Sequence, residues 1–139
     1  MPYMKPVYDV LEKNRGKVIY FDFWARWCPP CLAEMEPLKQ LRSKFSTDDL
    51  IIYSICVSEP KEQWEECLNE YSLKNRGIEC VHVTDYLGID NYQKIRKQWK
   101  IDRMPYYILI NRQGQIIDFG TAARPSNPQL VSRIEEAVK

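Results

Sequence analysis

The stretch Val18-Ile19-Tyr20-Phe21-Asp22-Phe23-Trp24-Ala25-Arg26-Trp27-Cys28-Pro29-Pro30-Cys31 carries the decisive signals in one run. Val18 to Trp24 is apolar and aromatic almost without interruption, as expected of a strand covered on both faces. The two cysteines follow at once, where that strand hands over to a helix. Cys28 precedes a proline, which disfavours helical geometry there and suits the residue to an N-cap. Pro29 then falls at the first helical position, where a missing N–H costs nothing. A sulfur at a helix N-terminus faces the positive end of the macrodipole, which favours thiolate. Cys31 lies one turn further along, so the two sulfurs can approach bonding distance. The expected chemistry is attack by a Cys28 thiolate on a disulfide, with Cys31 resolving the mixed disulfide. A structural disulfide and half of a zinc site are the other readings of the pair. Zinc needs about four ligands, and Cys56, Cys67, Cys80 and His82 form no second cluster beyond a partial Cys80-Val81-His82. A disulfide closing so short a loop stabilises little, because long loops gain most.

Outward from this run, Val7, Val10 and Leu11 predict a short amphipathic helix, stopped at Asn14-Arg15-Gly16. Leu32, Met35, Leu38, Leu41 and Phe45 recur at helical spacing after the cysteines. Leu50 to Val57 predicts a second buried strand, Trp64, Cys67, Leu68 and Tyr71 a helix, and Val81 to Val83 a short strand. Tyr92, Ile95 and Trp99 predict a helix over Asn91 to Lys100. Tyr106 to Ile110 and Gln115 to Phe119 flank Asn111-Arg112-Gln113-Gly114, a hairpin signal. Asn127 as N-cap and Pro128 at the first position open a terminal helix through Leu130, Ile134 and Val138. Strands alternating with helices argue a parallel pair, and the closing hairpin adds antiparallel strands. The expectation is an α/β domain with a mixed central sheet flanked by helices, running over residues 1–139.

Composition agrees with one soluble globular domain. The chain has 139 residues, 45% hydrophobic and 28% charged, and its formal charge is +1, so no basic field exists to hold a nucleic acid. Five cysteines are too few for a disulfide-dense miniature scaffold. Asp22 is an acid within an apolar strand, and burial should raise its pKa. An ion pair with Lys17 or another lysine is the alternative for it. The first residues contain no apolar stretch of the kind a signal peptide requires. The sequence is therefore expected to be either cytoplasmic or a mature piece of an exported protein.

Taken together, residues 21–31 resemble the active-site segment of the thioredoxin superfamily. Cys31 followed by Glu34, Pro37 and Leu38 resembles the TlpA/ResA branch of thiol–disulfide oxidoreductases, as does the later run Met104-Pro105, the strand after it, Gly114 and Ala123-Arg124-Pro125-Ser126. Tryparedoxin-like and nucleoredoxin-like proteins share Trp-Cys-Pro-Pro-Cys. In the family the helix proline follows the second cysteine by five residues, whereas Pro37 follows by six. The resemblance implies a thioredoxin-like fold with an extra strand and helix between Ser58 and Arg103. It implies that Asp22 moves the proton of Cys31, that Glu34 lines the active-site cavity, and that the Met104–Pro105 bond is cis. Met104 would then offer its backbone to an extended substrate, with Trp27, Pro29, Pro30 and Pro105 completing the contact surface. Glu34 as a solvated helix-surface carboxylate and Met104 as plain packing are the structural alternatives.

Trp24 is expected to pack beneath Trp27, Cys56 to be a small buried hydrophobe, and His82 to be structural. Cys67 and Cys80 could pair in an oxidising compartment. The function implied is reduction of protein disulfides by a monomer that needs no cofactor or metal. Electrons would come from an upstream thiol donor, in the branch a membrane transporter, in the bacterial periplasm or cell envelope. Two adjacent prolines remove amide donors from the Cys28 thiolate, so a reductant is expected rather than a DsbA-like oxidant. The rivals are a copper- or zinc-handling protein and a redox-inactive binding module of a larger envelope protein. A peroxiredoxin fits poorly, since its peroxidatic cysteine does not normally sit in Cys-Pro-Pro-Cys.

Overall fold

Val18–Trp24 forms the first strand, β1, and every residue of it is buried. Its alternation explains why no polar face was needed. Ile19, Phe21 and Phe23 enter one core with Val7 and Val10 of helix α1 (Lys5–Lys13) and with Tyr92 and Ile95 of helix α6 (Ile89–Gln98). Val18 and Tyr20 enter the opposite core with Leu38 and Leu41 of helix α3 (Met35–Lys44) and with Leu130 and Ile134 of helix α7 (Pro128–Val138). Helices on both faces of a central strand account for its near-continuous apolar run. The computed structural model describes residues 1–58 and 60–139.

The other strands are β2 (Leu50–Cys56), β3 (Ile78–His82), β4 (Tyr106–Ile110) and β5 (Ile116–Gly120). They form one sheet in the order β3-β2-β1-β4-β5. β1 and β3 run parallel to β2, while β4 runs antiparallel to both β1 and β5. The mixed sheet expected from the alternation of elements is thus present, and the strand added between residues 58 and 103 lies at its edge. In the β4–β5 turn, Asn111 Oδ1 accepts the N–H groups of Gln113 and Gln115 at 3.0 and 2.9 Å, and Gly114 takes a φ of +80°. Asn127 caps α7 as its position predicts, accepting from the Gln129 N–H at 3.0 Å.

Five boundaries differ from the pattern reading, the first being β2, which stops at Cys56 rather than the expected Val57. The helix after the cysteines is two helices, α2 (Pro29–Ala33) and α3, joined at Glu34. Pro37 has no N–H for the Ala33 carbonyl, so the ladder is interrupted there: Glu34 N–H bonds Cys31 O at 3.1 Å at the end of α2, and Leu38 N–H bonds Glu34 O at 2.9 Å in α3. β3 starts earlier than expected and ends at His82, whose side chain accepts the Thr84 N–H and turns Val83 into a short helix, α5 (Val83–Tyr86). Helix α6 begins two residues early, after Gly88 at φ +82°, and ends before Lys100, which adopts φ +55°. β5 is displaced by one residue, to Ile116–Gly120, with a bulge opposite Leu109 and Ile110. Helix α4 (Lys61–Glu70) matches its periodicity and stops before Tyr71.

Candidate active site

Cys28 sits at the end of the turn that follows β1, in extended geometry (φ −112°, ψ 98°), and caps α2. Its carbonyl accepts from Cys31 N–H at 3.0 Å and Leu32 N–H at 3.1 Å, while its Sγ accepts from Cys31 N–H at 3.3 Å. Pro29 and Pro30 occupy the first two helical positions. Cys31 therefore supplies the first backbone N–H that α2 can direct at the sulfur. The two cysteines are joined by a disulfide, with their Cα atoms 5.3 Å apart. Both are buried, while Pro29, Pro30 and Trp27 beside them are exposed, Trp27 to 69%. Trp24 lies beneath, wholly buried against Cys28, Cys31 and Met35.

Met104 is half-buried and packs against the same cluster. The Met104–Pro105 peptide bond is cis, and the Pro105 carbonyl is held by Thr121 Oγ1 at 2.9 Å. Among the described residues the backbone N–H and C=O of Met104 make no hydrogen bond. A groove of about 250 Å³ runs along the other flank, lined by Arg26, Trp27, Leu32, Gln63, Cys67 and Tyr71 among others.

Asp22 is 4% exposed and lies in register between Ser54 of β2 and Tyr107 of β4. Its Oδ1 has no hydrogen-bond partner among the described residues, and no cation offsets its burial. Desolvation, aided by the negative charge of Glu34, pushes its carboxyl up to about 8. The alternative of an ion pair with Lys17 or another lysine is not found among the described residues. Glu34, at the α2–α3 junction, turns to the loop before α7. Its Oε1 accepts the Ser126 N–H at 2.9 Å and its Oε2 the Ser126 hydroxyl at 2.7 Å. It is therefore anchored rather than free on a helix surface.

Cys56, Cys67 and Cys80 are free thiols, so the pairing considered for Cys67 and Cys80 is absent. Cys56 and Cys67 belong to the apolar cluster that holds Cys28 and Cys31, and Cys80 packs against it. Burial pushes all three thiols up, Cys80 to about 11 with help from the Asp22 charge. They stay protonated at neutral pH and make poor nucleophiles. Among the described residues no three His, Cys, Asp or Glu side chains gather as a metal site. Ser58, His82 and Ser126 were not legible as site residues, because each acts on the turn or on Glu34 from far away in the chain.

A disulfide across the first turn of the helix that follows the central strand, with Met104 packed against its cluster, defines the thioredoxin-like class. The sequence matches the Redoxin family over residues 7–138, and the chain belongs to that family. It is similar to the thiol-disulfide oxidoreductase ResA of Bacillus thuringiensis (strain Al Hakam), with 26% identity over 108 residues, 78% of this chain and 57% of that protein. The chain spans less than two thirds of the length of the first curated relatives it matches. Among solved structures, a candidate thiol-disulfide oxidoreductase from Bacteroides vulgatus is 35% identical, with 91% of this chain and 76% of that one covered and a TM-score of 0.66. The thioredoxin domain of a second thiol-disulfide oxidoreductase from Bacteroides vulgatus superposes with a TM-score of 0.76 over 93% of this chain and 84% of that one. At 22% identity that likeness speaks to the fold.

Proposed function

We propose that this protein is a thiol–disulfide oxidoreductase that reduces protein disulfides. The observation that carries the reading is the Cys28–Cys31 disulfide, closed across the first turn of α2 with the Cys28 sulfur receiving the Cys31 N–H. In the dithiol state the Cys28 thiolate attacks one sulfur of a substrate disulfide and expels the other as thiolate, leaving a mixed disulfide. Cys31 gives its proton to the Asp22 carboxylate and attacks Cys28 Sγ. The Cys28–substrate bond breaks, the second substrate sulfur leaves and is protonated, and the protein disulfide forms. Two electrons pass to the substrate. A carboxyl poised near 8 is matched to proton exchange with a thiol close to neutral pH. Trp27, Pro29 and Pro30 form the apolar rim against which the client docks, and the unpaired Met104 backbone beside Pro105 receives its extended segment. The charge of Glu34 adds to the proton affinity of Asp22, which makes the ionised carboxylate a base strong enough to take the Cys31 proton.

The resemblance to the TlpA/ResA branch supports an envelope setting, a monomer, and recharging by an upstream thiol donor, with a membrane transporter the donor in that branch. No helix among the described residues is long and apolar enough to cross a membrane. Insulin-disulfide reduction is the test. Turnover by the native protein, abolished by Cys28→Ser and by Cys31→Ser, is expected. Absence of turnover in a folded, reduced protein overturns the reading and favours a binding module. Stoichiometric Cu(I) or Zn(II) binding that needs both cysteines, without turnover, turns it toward metal handling.

A further inference from the structure

The turn between β1 and Cys28 is fixed by groups that the exchange chemistry does not use. Among the described residues the last main-chain bond between β1 and the segment beside it is Val57 N–H to Trp24 O at 2.8 Å. The next rung is a side chain: Arg26 N–H donates to Ser58 Oγ at 2.9 Å. Cys28 N–H then folds back on Ala25 O at 3.2 Å, so the position of Arg26 sets where the nucleophile begins. Ser58 is itself held from both sides. Its hydroxyl lies 3.3 Å from the Cys56 sulfur, and its carbonyl accepts His82 Nε2 at 2.8 Å. His82 Nδ1 accepts the Thr84 N–H at 3.2 Å, which makes Nε2 the protonated nitrogen of a neutral ring. That ring is fully buried and packs on Trp64 with centroids 5.6 Å apart.

We propose that Ser58, oriented by His82, is a positioning residue that holds the Ala25–Trp27 turn so that Cys28 Sγ stays aligned with the Cys31 N–H and with incoming disulfides. The lone histidine and the buried Cys56 are thereby explained as one support behind the redox pair. The inference rests on the proposed function, yet it can fail alone. Alkylation of Cys28 by iodoacetamide reads the alignment without any client, whereas loss of insulin reduction by the native protein would strike the function itself.

One net hydrogen bond corresponds to about a fivefold factor in the equilibrium between the aligned and misaligned turn. Ser58→Ala should slow Cys28 alkylation in the reduced protein by about that factor and shift its pH profile upward, with insulin reduction falling in parallel. Ser58→Thr, which keeps the hydroxyl, should restore both. His82→Gln retains a donor near the Nε2 position and should stay near native, while His82→Asn keeps only the Nδ1-like acceptor and should resemble Ser58→Ala. The two histidine variants carry the test if Ser58→Ala does not fold. An unchanged alkylation profile in Ser58→Ala, equal losses in Ser58→Ala and Ser58→Thr, or equal behaviour of the two histidine variants would overturn the proposal.

Discussion

Asp22 makes the protein's stability depend on pH in a direction opposite to that of an ion-paired carboxylate. Its carboxyl stands at about 8 in the folded disulfide form against 3.8 in an unconstrained chain, with burial the main cause. Between those values the folded state keeps a proton that the unfolded state has released. Stability therefore falls as pH rises through this window, by about 1.4 kcal/mol per pH unit. The loss reaches roughly 4 kcal/mol at pH 7 and approaches 6 kcal/mol above pH 8. Asp22→Asn removes the titration, so the variant should gain on the native protein steadily between pH 4 and pH 8. Urea unfolding of both oxidised proteins at several pH values measures the gap. Costs of the substitution that do not involve protons are the same at every pH and drop out of the slope. A gap that is flat with pH would refute the account of a protonated, unpaired Asp22.

Glu34→Gln removes the charge that adds to the raised Asp22 value, so the pH at which the stability of the native fold stops falling should move down. The same urea series reads this, and an unmoved endpoint would mean that burial acts alone. Pro30→Ala restores an N–H at the second helical position, beside the Cys28 sulfur. One additional charge-assisted hydrogen bond to the thiolate should raise the reduction potential by about 30 mV or more, read by equilibration with glutathione buffers. The native couple should lie well below the roughly −120 mV of DsbA, and a native value near that figure would defeat the reductant assignment.

The redox pair was legible because its chemistry is local. A proline after Cys28 forces the N-cap, another proline withholds a donor, and both effects act within one helical turn. The same holds for Asn127 at the head of α7 and for Asn111 and Gly114 in the hairpin. The break at Glu34 was also written in the chain, since Pro37 cannot bond Ala33, but the apolar spacing of Leu32, Met35 and Leu38 runs across it and hides it. His82 misled the reading of β3 because β propensity ignores a side chain that caps the following turn.

The sequence by itself determined that strands and helices alternate, that β1 is buried on both faces, and that Cys28 and Cys31 form a pair at a helix start. Tertiary structure alone decided the environment of that pair. Glu34 meets Ser126 across 92 positions, Arg26 meets Ser58 across 32, and Ser58 meets His82 across 24. It also placed Asp22 between Ser54 and Tyr107 and packed all five cysteines around one site. Periodicity and capping report only the forces within a few residues. The proton affinity of Asp22 and the stiffness of the active-site turn arise from desolvation and hydrogen bonds between distant segments, and these exist only once the sheet has assembled.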